Sequence, residues 1–124
     1  MLLPMVWVDA PTFYPQTYTK GHDKHHMEHA KAMGLTFREW LKEASDTLNS
    51  DGKDIVKWMD DCWYMALNTK NNRLAVGTVD GEVKTYFILE KSGRRYYIPK
   101  EIEDIPKGIE DHYDLKIEDH YDLK

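Results

Sequence analysis

Hydrophobic and polar positions change their rhythm along this chain, and each change marks an element. Residues 1–20 carry Pro4, Pro11 and Pro15 among Trp7, Phe13, Tyr14 and Tyr18, a mixture that predicts an extended arm pinned by its rings and excludes a helix. From about residue 20 helix-forming residues take over. Asp23 or Gly21 is placed to cap a helix that runs to Met33, and Gly34 supplies the left-handed stop. Thr36-Phe37-Arg38-Glu39 then has the form of a capping box, with Leu35 placed to staple against Trp40. Phe37, Trp40, Leu41, Ala44 and Leu48 follow at helical spacing, so 36–48 is the best-marked helix of the chain and these residues are its core face.

After Asn49-Ser50-Asp51-Gly52 the pattern is ambiguous. Ile55, Val56, Trp58 and Met59 fit a short helix about as well as an irregular strand, and the reading adopted for 53–61 is helix. Beyond it, β-prone runs at 62–67, 73–79, 82–89 and 95–98 are separated by Asn68-Thr69-Lys70-Asn71-Asn72, Asp80-Gly81 and Ser92-Gly93. Asp80-Gly81 reads as a two-residue hairpin turn, which sets Thr78 opposite Val83, Val76 opposite Thr85 and Leu74 opposite Phe87. The predicted fold class is α+β: N-terminal helices packed on a roughly four-stranded antiparallel β-meander.

Size and charge narrow the classes. A chain of 124 residues with 41% hydrophobic residues has material for one core, expected within residues 1–108. The tail, 109–124, is an octapeptide, Ile109-Glu110-Asp111-His112-Tyr113-Asp114-Leu115-Lys116, repeated without change as residues 117–124. Two short copies do not make a solenoid. The formal net charge of −5 belongs to residues 100–124, where nine acids face four lysines, and the body is balanced. A balanced body binds RNA only if its cations cluster. No apolar run is long enough to span a membrane, and the opening residues lack the basic segment of a signal peptide, so the expectation is no membrane and a cytoplasmic site of action. The lone Cys62 excludes an internal disulfide and a cysteine-built zinc site; in its apolar run it is expected in the core of what is expected to be a monomer.

The most unusual chemistry lies in residues 21–29, where His22, His25, His26 and His29 stand at i, i+3, i+4 and i+7. On a helix they share one face, and imidazoles suit proton transfer, metal ligation or a charge switch near neutral pH. Cleavage of RNA by its own 2′-hydroxyl needs a base, an acid and cations or donors at the phosphate. His25 and His29, one turn apart, are candidates for the acid and base. Lys24, Lys84, Thr85, Tyr86, Arg95 and Tyr97 are candidates for phosphate contacts and base stacking. One difficulty is visible in advance. Strict alternation puts Thr85 and Lys84 on opposite faces of their strand unless a bulge intervenes or the strand twists sharply there. Otherwise Thr85 is simply a β-branched neighbour of the core.

The order HxxxH, a Gly about five residues on, an aromatic and Ala helix, and then Asn72-Arg73-Leu74-Ala75-Val76, Asp80-Gly81 and Lys84-Thr85-Tyr86-Phe87 resembles the toxin-type RNase domains of the barnase, EndoU, colicin and RelE-like (BECR) superfamily. Such domains occur in contact-dependent inhibition proteins, other polymorphic toxins and phage-encoded proteins. The resemblance covers about residues 20–87 and implies a catalytic histidine at His29 or His25 and a phosphate contact from the Thr85 hydroxyl. Lys24-His25 and Thr85-Tyr86-Phe87 are similar to the Lys-His element and the hydroxyl-x-aromatic strand of a tRNA anticodon nuclease of the colicin type. The implied activity is metal-independent cleavage of RNA, with tRNA as the candidate target, without cofactor, and with an immunity protein or antitoxin as partner. Two readings from other classes stand beside it. One is a histidine-rich metal-binding module using pairs such as His22/His26 or His25/His29. The other is a noncatalytic phage or plasmid interaction protein that docks through its acidic tail.

Overall fold

The computed structural model describes Trp7 and residues 10–90. Two helices, α1 (Asp23–Ala32) and α2 (Phe37–Asn49), precede four strands, β1 (Ile55–Asp60), β2 (Trp63–Asn68), β3 (Arg73–Gly77) and β4 (Val83–Ile88). The strands form one antiparallel sheet in the order β1-β2-β3-β4, which is the α+β arrangement expected from the sequence. The expected strand at 95–98 lies outside the described residues, as do Arg95, Tyr97 and the repeated tail.

α2 begins as its sequence dictates. The Thr36 hydroxyl accepts from the Glu39 amide and the Glu39 carboxylate accepts from the Thr36 amide, so both halves of the capping box are made. α1 is different. His22 is its N-cap and makes no side-chain cap, so the expected capping by Asp23 or Gly21 does not form. At its other end Gly34 adopts φ +72°, the left-handed stop.

Residues 55–60 are a strand and not the helix expected there. The physical reason is that the sheet is apolar on both faces. Ile55 and Met59 pack with the helix-side core, while Trp58 and Val56 join the cluster on the other face. A strand buried on both sides loses the alternation by which strands are recognised, and the apolar spacing then imitates a helical stripe. The chain turns from β1 to β2 through Asp61 and Cys62, with Asp61 at φ 57°. Cys62 therefore lies exposed at a hairpin tip, and not in the core.

The β3–β4 hairpin also corrects the expected turn. Val76 pairs with Thr85 and Leu74 with Phe87 as predicted, but Val83 pairs with Gly77 and not with Thr78. The Thr78 amide donates to the Glu82 carbonyl, the Gly81 amide to the Thr78 carbonyl, and Gly81 adopts φ +85°. The connection is thus a three-residue loop, Val79-Asp80-Gly81, closed by a left-handed glycine. Between Val76 and Gly77 the register shifts. One step along β3 matches two along β4, and Lys84 is the extra residue of a β-bulge.

The helix-side core contains Trp40, Leu41, Ala44 and Leu48 of α2, Ala30 of α1, Phe13 of the arm, and Tyr64, Ala66, Ala75, Val83 and Tyr86 of the sheet. Ala66 and Ala75 are cross-strand partners, and with Ala44 all three are fully buried; three small side chains let α2 lie close on the sheet. The opposite face carries Trp58, Met65, Leu67, Leu74, Val76 and Leu89.

The arm belongs to the fold. The Phe13 amide donates to the Asn49 side-chain oxygen (2.9 Å), and the Asn49 amide group donates back to the Phe13 carbonyl (2.8 Å). Further on, Tyr18 forms a parallel bridge with Val83. The Val83 amide donates to the Thr17 carbonyl (2.8 Å) and the Thr19 amide to the Val83 carbonyl (3.0 Å). The Trp40 indole N–H donates to the Tyr86 carbonyl at 2.9 Å. Backbone groups of edge strand β4 that would otherwise offer a template to another chain are occupied in this way.

Candidate active site

The four histidines do not form one functional row. His26 is buried (2% exposed), His29 half-buried, and His22 and His25 exposed. The face of α1 that meets the protein holds His26 and Ala30, so the middle of the histidine pattern serves packing and only its flank meets solvent.

His26 sits among rings: Trp40 at 4.9 Å between centroids, His22 at 6.2 Å, and Tyr18 and Phe37 at 6.3 Å. Its Nε2 lies 3.2 Å from the Thr19 carbonyl oxygen. A carbonyl only accepts, so Nε2 carries the proton and Nδ1 the lone pair. Nδ1 is buried without a hydrogen-bond partner among the described residues. Burial pushes the pKa of His26 below its ordinary value, against the opposing pull of the Thr19 carbonyl and Asp23.

His29 lies at the seam between α1 and β4, its ring 5.7 Å from that of Phe87. Burial lowers its pKa, the charge of His25 adds to the lowering, and Glu28 opposes it. A neutral imidazole at pH 7 follows, with a lone pair available to a proton. His25 stands one turn back on the exposed side, its Nδ1 3.5 Å from a Glu28 carboxylate oxygen. Lys24 is exposed beside it.

The bulge resolves the alternation problem on β4. Thr85 pairs with Val76 and so lies on the face away from α2, with Phe87 two residues on. Because Lys84 is the inserted residue, its side chain turns to that same face, where Nζ stands 4.5 Å over the ring of Trp63. Trp63 of β2 and Lys84, Thr85 and Phe87 of β4 thus share one face of the sheet, and His29 meets its rim at Phe87; all five are half-buried. Thr85 is about 7 Å along the strand from Phe87, and among the described residues no hydrogen bond joins its hydroxyl to either His25 or His29.

Tyr86 must be reassigned. Its side chain faces α2, is fully buried, and donates its hydroxyl to Glu43 at 2.7 Å, so it offers no surface on which a base stacks. Arg73 also pairs with Glu43, and the Thr47 hydroxyl donates to the Glu43 carbonyl at 2.8 Å. Burial, and then the Glu43 carboxylate, raise the phenol's pKa. For Arg73 burial works against the charge, but Glu43 outweighs it and the guanidinium is held more firmly protonated. Sequence reasoning missed this cluster. The available signal was Glu43 at i+3 from Trp40 and i−4 from Thr47, a charge on the flank of the apolar stripe of α2.

Among the described residues no group of three or more His, Cys, Asp or Glu side chains is arranged to hold a metal ion, so the histidine pairs of α1 gain no further ligands there. No helix among them is long and apolar enough to cross a membrane. No family model, no curated protein and no solved structure matches this chain.

Proposed function

We propose that this chain is a metal-independent endoribonuclease of the toxin type, acting at the seam between α1 and β4. The observation that carries this reading is the β-bulge on β4, the strand that α1 packs against and that His29 meets at Phe87. It gathers an ammonium group (Lys84) and a hydroxyl (Thr85) on the strand face that also bears Phe87, the ring neighbour of a half-buried imidazole. Neutral His29 takes the proton from a ribose 2′-hydroxyl, and the 2′-oxygen attacks the adjacent phosphorus. Lys84 and the Thr85 hydroxyl hold the non-bridging oxygens as charge grows on them. The P–O5′ bond breaks, and His25, exposed one turn from His29, supplies the proton to the departing oxygen. The products are a 2′,3′-cyclic phosphate and a 5′-hydroxyl. An aromatic-flanked edge suits single-stranded RNA, in which bases are free to leave the stack; tRNA loops supply such segments. The reading also assigns an immunity protein or antitoxin as partner.

The test is to incubate the protein with total tRNA in EDTA and look for discrete fragments ending in cyclic phosphate. Loss of a general acid or base costs about 10²–10⁴-fold, so His29→Ala is expected to abolish visible cleavage, and Thr85→Ala to reduce it strongly, with circular dichroism unchanged. Full activity in both variants would remove the site assignment, and an inert parent protein would remove the nuclease reading.

A further inference from the structure

The extra residue of the bulge is held from both sides. On one side, Val83 is paired with Gly77 of β3. On the other, the arm clasps Val83 through the Thr17 carbonyl and the Thr19 amide, and the Thr19 hydroxyl donates to the carbonyl of Lys84 itself at 3.3 Å. Thr19 is in turn held by α1, because its carbonyl accepts from His26 Nε2 at 3.2 Å. A single residue of the arm therefore joins the buried imidazole to the backbone of the cation in the candidate site.

We propose that His26 is a positioning residue that latches segment 17–19 onto β4, fixing Lys84 at the bulge, and that acid releases this latch. The proposal rests on the nuclease reading for its consequence, but the latch itself is a property of the fold. With its Nε2 proton committed to Thr19, the ring can gain a proton only at Nδ1, which is buried without an acceptor among the described residues. The groups around it give a cation little help. The arm contributes Tyr18 and the Thr19 carbonyl, and α2 contributes the rings of Phe37 and Trp40, which do not titrate. On α1 itself Asp23 favours the charge while His22 and His29 oppose it. A protonated imidazole is therefore better solvated outside the pocket than in it. When it leaves, the Thr19 carbonyl loses its donor and the clasp on Val83 and Lys84 loosens.

Amide hydrogen exchange on the full chain tests this without reference to catalysis. The Thr19 and Val83 amides report the clasp directly. After correction for intrinsic exchange, their protection is expected to fall roughly tenfold between about pH 7.5 and about pH 5, while amides between β2 and β3 keep theirs. In His26→Gln, whose amide donates but does not titrate, the acid loss should disappear. Unchanged protection in the parent, or the same acid loss in His26→Gln, would overturn the latch. Thr19→Val leaves the aromatic pocket intact and removes only the hydroxyl bond to Lys84. It should lower kcat for RNA cleavage about three- to tenfold with KM within about twofold, and an unchanged kcat would overturn the positioning of Lys84. Failure of the parent to cut RNA would sink the nuclease reading, and the exchange data would still decide the latch.

Discussion

At Gly77 the ring of Phe13 lies directly over the strand, and Gly77→Ala is the sharpest probe of that packing. A β-carbon built there falls 2.7 Å from Cζ of Phe13 and 3.1 Å from Cδ1, and closer still to Cε1. Carbon atoms rest at about 3.5–4.0 Å, so the ring or the strand must retreat by about 1 Å. The glycine is not conformationally required, because its φ is not in the left-handed region. On backbone grounds alone alanine would stabilise the strand by about 0.5–1 kcal/mol. Phe13 has little freedom to yield. It is 1% exposed, its backbone is bonded in both directions to Asn49, and Trp7 and Tyr64 meet its ring edgewise at 6.2 and 6.0 Å. Overpacking of this kind costs about 1–3 kcal/mol, and full expulsion of the ring would cost about 3–5 kcal/mol. The expected net destabilisation is about 2 kcal/mol, read as a lower urea midpoint at unchanged slope. Phe13→Leu should relieve part of the clash, so the double variant should be more stable than the sum of the single effects by about 1 kcal/mol. A Gly77→Ala protein as stable as its parent, or strict additivity with Phe13→Leu, would refute the claim that the ring occupies the space over Gly77.

Tyr86→Phe removes the hydroxyl bond to Glu43 while keeping the buried ring, and should cost about 1–2 kcal/mol by urea unfolding. A neutral result would mean that the Arg73–Glu43 pair holds α2 to the sheet without it. Stability should also fall on mild acidification. His26 and His29 have folded pKa values below the ordinary 6.5, so the unfolded chain binds their protons more readily. Their contribution is complete above about pH 6.5 and is lost as pH falls from there through the lower folded values. Urea midpoints taken between about pH 7.5 and about pH 5, above the range in which ordinary carboxylates titrate, should decline, and a flat profile would show that neither imidazole is held neutral by burial.

α2, the stop at Gly34, the α+β order and most of the β3–β4 register were legible in the residues alone. Each follows from local rules: a capping box closes within four residues, a helical stripe repeats on its own element, and a hairpin pairs neighbours. The rest depends on surfaces that meet from distant parts of the chain. β1 reads as a helix until both faces of the sheet are known to be apolar. The histidine run looks like one face until the rings of Tyr18, Phe37 and Trp40 draw His26 inward and leave His29 at the seam. Lys84 and Thr85 belong to opposite faces until the clasp of the arm on Val83 and the pairing of Gly77 place a bulge between them. Tyr86 is an aromatic in a promising motif until Glu43, 43 residues earlier, takes its hydroxyl. Periodicity records which side of its own element a residue occupies. Burial, protonation and reach depend on what is packed against that side.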